Sequence, residues 1–134
     1  MYSHEHAAIG ALCGALSVPV VARGRSPPAK LALWTYGLFL SVFVDLDHFL
    51  IARVKTGGWS HLVGAVHDPV RAFTDQESVF PDVTIRLERL ASHVLIGGAL
   101  VRLLRPVSRP LARVSAVNLA AHVLADVLRE LELA

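Results

Sequence analysis

Cysteine is almost missing from this chain, with Cys13 the only one among 134 residues. An internal disulfide and a thiolate zinc site are thereby excluded. The Ala-Leu-Cys-Gly-Ala setting makes Cys13 a small buried hydrophobe. Charge is scarce as well: Asp, Glu, Lys and Arg together make up 18%, against the roughly 25% of average globular usage. No basic stretch precedes the apolar run that begins at Ala7, so a cleaved signal peptide is not expected and a cytoplasmic location follows by default. Strand-like alternation and internal repeats are absent too.

Long uninterrupted apolar runs are also missing. Residues 7–22 contain Pro19, and residues 31–44 stop at Asp45. Residues 95–104 are broken by Gly97-Gly98 and Arg102, and residues 111–128 carry Arg113, His122 and Asp126. A spanning helix wants about 20 apolar residues, and ionisable groups inside one must face a protein interior. Yet hydrophobic residues reach 54% and mean hydropathy is +0.52. The chain therefore buries an unusual share of itself or lies against a membrane, and membrane association is expected without a commitment to spanning.

The net charge is +2, from eleven Arg and two Lys against 11 acidic residues. The basic residues gather at Arg23/Arg25/Lys30, at Arg102/Arg105/Arg109/Arg113 and near Arg86/Arg89, at the ends of apolar stretches. That pattern suits contact with phosphate head groups, or simply solubilises helix ends. No basic stripe interleaved with aromatics is visible, so nucleic acid is not an expected partner.

Prolines and glycines cut the chain into segments of helical length. A first helix starts near Ser3 and runs to about residues 19–22, with Gly10 and Gly14 one turn apart to admit a close neighbour. Ser26-Pro27-Pro28 opens a second helix over residues 29–54, ended by Gly57-Gly58. A short helix covers 60–66, residues 74–80 read as a loop, Asp82 caps a third long helix to about Leu104, and a last helix covers 111–131. The expected fold is all-α, a single domain over 1–134 forming a compact antiparallel bundle of four long helices plus one short one.

Seven histidines are many for this length. His122 and Asp126, four apart on the last helix, share a face and can reach one ion, or they are a hydrogen-bonded pair closing a core. Val44-Asp45-Leu46-Asp47-His48 sets two carboxylates and an imidazole in an apolar helix, where each needs a cation, a donor or water. Asp45 and His48 share a face, while Asp47 points elsewhere unless the helix is distorted. Two metals, or one metal with a further hydrogen bond to an imidazole, would satisfy all three; solvation at a helix end is the alternative. His61 opens the short helix, and His93 lies among apolar neighbours, where alone it would be a core histidine. His4 and His6 flank the start of the first helix, and only one of them is expected to face inward. Nitrogen and carboxylate donors without cysteine suit zinc, manganese or iron. No nucleophile elbow, phosphate-cradling glycine loop, dinucleotide fingerprint or Glu-x-x-His signature is present.

Taken in order, His4 or His6 before residues 7–14, Val44–Asp45–Leu46–Asp47–His48, residues 57–62 and the late His122/Asp126 pair resemble the YdjM-type family of predicted membrane-bound metal-dependent hydrolases. In that family the second motif starts with proline and the third carries an arginine and Thr-His-Ser; here Val44, Gly57 and Ser60-His61-Leu62 stand instead. More distantly the arrangement is similar to zinc-dependent phospholipase C and related nucleases. The resemblance implies a metal-dependent hydrolase of a phosphoester, which could be a lipid, and a membrane surface as partner; a homo-oligomer is allowed. The expected metal residues are His4, Asp45, Asp47, His48, His61, His93, His122 and Asp126, holding a divalent ion, zinc first. Asp47 and Asp45 carry the catalytic assignment, Asp47 as ligand, as partner to a ligand or as base. An HD-type phosphohydrolase pairing His48 with His67-Asp68 and Asp126 fits less well, because Pro69 interrupts the helix that would carry the His-Asp pair. The rival function is a non-catalytic, membrane-associated helical module with a structural metal or a buried polar cluster.

Overall fold

The computed structural model describes residues 3–81 and 83–132. Helix α1 (Ser3–Val21) and helix α2 (Pro27–Phe43) form an antiparallel hairpin around Gly24, whose φ of +81° suits glycine. A 3-10 turn (Val44–Leu46) leads into α3 (Asp47–Thr56), then α4 (Ser60–His67), α5 (Pro69–Thr74) and a second 3-10 turn (Gln76–Val79). A second hairpin follows, α6 (Arg86–Val107) and α7 (Arg109–Glu132). No strand occurs among the described residues, and the architecture is all-α as expected.

Three boundaries depart from the expectation. The helix foreseen over 29–54 is broken at Val44–Leu46, although neither proline nor glycine stands there. The loop foreseen over 74–80 is largely the 3-10 turn, preceded by a helix that Pro69 opens at its first position and the Asp68 carboxylate caps through the Arg71 amide at 3.0 Å. Helix α6 passes through Pro106 to Val107 instead of closing before it. Asp82, expected to cap α6, lies outside the described residues.

Close packing of the first hairpin depends on residues without side chains. A Cβ on Gly10 would fall 2.5 Å from Ser41 Oγ, and one on Gly14 would fall 2.8 Å from the Trp34 ring. Trp34 Nε1 donates to the Ala11 carbonyl at 2.9 Å, and Tyr36 and Ser115 hydroxyls meet at 2.7 Å, tying α2 to α1 and to α7. Helix α7 packs on α1, α2 and α6 and is the central element.

The distribution of side chains is inverted relative to a water-soluble bundle. His6, Ser41, His93, Ser115, Asn118, His122 and Asp126 are buried, while Leu12, Leu16, Val20, Leu87, Leu95 and Leu103 are between 61% and 79% exposed. Small and polar residues at helix contacts with large apolar residues outside are the pattern of helices packed in lipid. Helices α6 and α7 are each long and apolar enough to cross a membrane.

Candidate metal centre

The site is assembled at one end of the bundle, opposite the two hairpin turns. The first turn of α1 brings His6, the 3-10 turn brings Asp45, the start of α3 brings Asp47 and His48, α6 brings His93, and α7 brings His122 and Asp126. All seven are buried, none more than 6% exposed. The 3-10 turn explains how Asp45, Asp47 and His48 converge. Overwinding brings residues i and i+3 into eclipse, which stacks His48 over Asp45. It also reduces the angular gap between Asp45 and Asp47 from roughly 160° towards 120°.

The donors fall into two groups that share Asp45: His6, Asp45, His122 and Asp126 in one, and Asp45, His48 and His93 in the other. In the first, His122 Nε2 is 3.2 Å from Asp45 Oδ1 and 3.4 Å from Asp126 Oδ2, while His6 Nε2 is 3.4 Å from Asp126 Oδ1. In the second, Asp45 Oδ1 is 3.5 Å from His48 Nε2 and 3.4 Å from His93 Nε2. Asp47 Oδ1 stands beside that group, 3.2 Å from His93 Nε2 and 3.6 Å from His48 Nε2. The rings pack on one another as well: His6 stacks on His122 with centroids 3.8 Å apart, and His48 on His93 at 5.2 Å.

These separations are mostly too long for good hydrogen bonds. They match the donor–donor edge of a tetrahedron with metal–ligand bonds of about 2.0–2.1 Å, an edge of about 3.3 Å. Among the described residues, neither oxygen of Asp45 has a hydrogen-bond partner, nor does His122 Nε2. Uncompensated, such groups would be costly to bury. A cation satisfies them together, so the donor set fits a metal, and the buried His/Asp groups could hold one. Orientation is supplied from behind: His122 Nδ1–H donates to the Ser41 carbonyl at 2.9 Å, which turns Nε2 towards the cluster, where a bound metal would take the place of its proton. Ser41 Oγ in turn donates to Asn118 Oδ1 at 3.2 Å.

Burial pushes His48 down to about 4, with Asp45 and Asp47 only partly offsetting it, so the imidazole is neutral as a ligand must be. Burial would raise the Asp45 carboxyl, but the imidazoles of His122, His48 and His6 that face it hold it below its ordinary value. Among the described residues, one guanidinium reaches the site carboxylates, that of Arg89 beside Asp126. It donates to Glu130 Oε1 at 2.7 Å and approaches Asp126 Oδ2 at 3.7 Å.

Two expected ligands lie elsewhere. His4 is exposed and His6 takes the inward place, because His6, Gly10, Gly14 and Val18 recur every four residues along the buried face of α1. His61 belongs to neither donor group. The ring of Phe80 stacks on His61 at 5.5 Å and meets His48 edge-on at 6.2 Å, so it stands between them. His61 instead lines a separate cavity of about 410 Å³ with Asp68, Arg71 and Ser78. Alanine at His6 is accordingly expected to lower bound metal severalfold, and alanine at His4 to leave it unchanged, as read by elemental analysis of the two purified variants. Arg89 is the participant that the sequence reading overlooks, although its place four residues before His93 was a usable signal.

Comparison with family models, with curated proteins and with solved structures yields no match to this chain.

Proposed function

We propose that the protein is a membrane-embedded, metal-dependent hydrolase acting on a phosphoester, with a lipid as the preferred substrate class. The observation that carries this reading is the pair of donor groups sharing Asp45 at metal-ligand spacing inside an otherwise apolar bundle. Zinc suits the nitrogen-rich donor set, with manganese or iron as alternatives. Divalent ions held there would supply Lewis acidity and lower the pKa of water. With Glu130 and the Arg86 and Arg89 guanidiniums that pair with it counted in, Asp45, Asp47 and Asp126 leave the centre two negative charges, so two divalent ions would make it net positive and attractive to an anionic phosphoester. The resemblance to the YdjM-type family points the same way.

Asp45 would bridge the two groups, and Asp126 would be oriented by Arg89. Asp47 is the candidate base: its Oδ1 faces His93 and its Oδ2 has no hydrogen-bond partner, leaving that oxygen to take a proton from water. The large apolar surface and the lengths of α6 and α7 support embedding. On that view the pairs Lys55–Glu88 and Arg86–Glu130 mark the interface. His93 is seven residues into α6, roughly 10 Å below it.

The test uses metal-loaded protein in detergent with phospholipid and phosphatidic acid substrates. Asp47→Asn is expected to cut turnover at least about a hundredfold, the usual reach of a general base, with metal content and thermal unfolding retained. A second reading, a closed structural metal site in a non-catalytic module, is favoured by the near-complete burial of His6, His93, His122 and Asp126. It would be supported by wild-type protein that holds metal, turns over none of these substrates and loses only stability in the variant.

A further inference from the structure

The end of the bundle opposite the metal centre has a character of its own. Arg102 and Arg105 on the last turns of α6 and Arg109 and Arg113 on the first turns of α7 converge on the turn between them. Among the described residues no ion pair is formed by any of the four, in contrast to Arg86 and Arg89 at the other end, which pair with Glu130. Acidic residues are absent from 89–125 and from 6–44, so the two hairpin turns at this end carry positive charge alone. Two cavities of about 440 and 790 Å³ share Arg105 and Arg109; the first adds Arg113 and the second Arg102.

These cavities continue into a third. An apolar groove of about 540 Å³ between α6 and α7 shares Val101 and Ala116 with one arginine-lined cavity and Gly98 with the other, and runs along Leu119 and Val123 to His93. Two glycines shape it differently. A Cβ on Gly97 would press on Leu119 at 3.2 Å, so Gly97 sets the approach of the two helices. A Cβ on Gly98 would meet nothing within 4 Å, so Gly98 leaves the groove open.

A cationic pocket continuous with an apolar groove fits an anionic amphiphile. We propose that the α6–α7 hairpin binds an acidic phospholipid, its phosphate on Arg102, Arg105, Arg109 and Arg113 and one acyl chain in the groove past Gly98. The inference rests on the membrane-embedded part of the function proposed above and is independent of the hydrolase part. Guanidinium groups grip phosphate oxygens through paired N–H donors, and basic pockets between membrane helices are suited to lipid head groups. The groove spans about 12 Å of helix from His93 to Val101, room for part of an acyl chain.

The test is native mass spectrometry of the full chain in neutral detergent. The probes are dioleoyl phosphatidylglycerol, the matching phosphatidylcholine, dihexanoyl phosphatidylglycerol and inorganic phosphate. Wild type is expected to retain the dioleoyl phosphatidylglycerol about tenfold better than the choline lipid, and Arg105→Gln/Arg109→Gln to lose that preference. Gly98→Leu, at an open position that favours a better helix former, is expected to weaken the dioleoyl lipid several-fold and leave the dihexanoyl lipid unaffected. Equal retention of both head groups would overturn the proposal. So would a preference that survives the arginine substitutions, or displacement of the lipid by millimolar inorganic phosphate, which marks a free-anion site. Metal content and membrane fractionation of the same samples separate the outcomes. Protein that fractionates with membranes and shows no lipid preference sinks this inference alone, whereas protein found free of membranes sinks the embedding itself.

Discussion

Replacing Asp45 by alanine is expected to strip the protein of metal, from near-stoichiometric content in the wild type to under about a tenth of it, since lost ligation and lost bridging act on both donor groups. Asp45 alone belongs to both, with Oδ1 within 3.5 Å of His48, His93 and His122 Nε2 atoms. Removing it leaves His6, His122 and Asp126 on one side and His48, His93 and Asp47 on the other, each group one donor short and with no carboxylate shared between them. His48→Ala should be milder, because it touches only one group: about half of the metal is expected to remain if two ions bind. Inductively coupled plasma measurement on untagged protein decides the matter. Wild-type protein purified without any metal would remove the metal centre and the hydrolase with it. Equal losses in the two variants would replace two ions by one.

Gly10→Val is expected to be the most damaging substitution outside the centre. Even the first carbon of the new side chain would lie 2.5 Å from Ser41 Oγ and 2.6 Å from Ser41 Cβ, and Leu38 Cα stands 3.4 Å away. The clash is with Ser41 Cβ, the base of a side chain that cannot swing aside, so α1 must move off α2. Overpacking of this kind costs about 1–3 kcal/mol and occasionally more. Because Ser41 also presents its carbonyl to His122 and Gly10 lies one turn from His6, metal should be lost along with stability. A fall of several degrees in the unfolding midpoint, with weaker metal retention, is the expected result. Gly98→Val, where nothing is within 4 Å, is the control and should change neither. An unfolding midpoint in Gly10→Val equal to that of wild type would mean that the two helices are not in contact there.

Much of this arrangement was legible in the residues themselves. Helix α7 could be read because His122 and Asp126 keep the four-residue spacing that fixes a face, and Gly10/Gly14 announced a close neighbour, which is α2 of the same chain. The break at Val44–Leu46 was legible only as a condition, since Asp47 could join the face of Asp45 and His48 only if the helix were distorted there. No proline or glycine marks the position. The choice between His4 and His6 was open as well: near a helix start, one residue of offset decides the face, and only the register with Gly10 settles it. That His61 stands apart from both donor groups was not readable, because Phe80, which packs against both His61 and His48, comes from a segment that reads as featureless. His93 looked like an isolated core histidine, since its partners Asp45, Asp47 and Asp126 are all distant in sequence.

The wide spacing of the donors along the chain carries a kinetic consequence. His6 and Asp126 stand 3.4 Å apart, yet nearly the whole chain separates them, and the pairs linking α1, α2 and α6 to α7 are likewise non-local. Contacts of such high order form late, after most of the loop-closure entropy has been lost. The first hairpin can zip up while α7 is still being synthesised, but it then holds His6 and Asp45 with no Asp126 to answer them. Ion capture by the group of His6, Asp45, His122 and Asp126 is thus the last event of assembly, and a nascent chain halted before residue 122 should lack the ion of that group however well its early helices have formed.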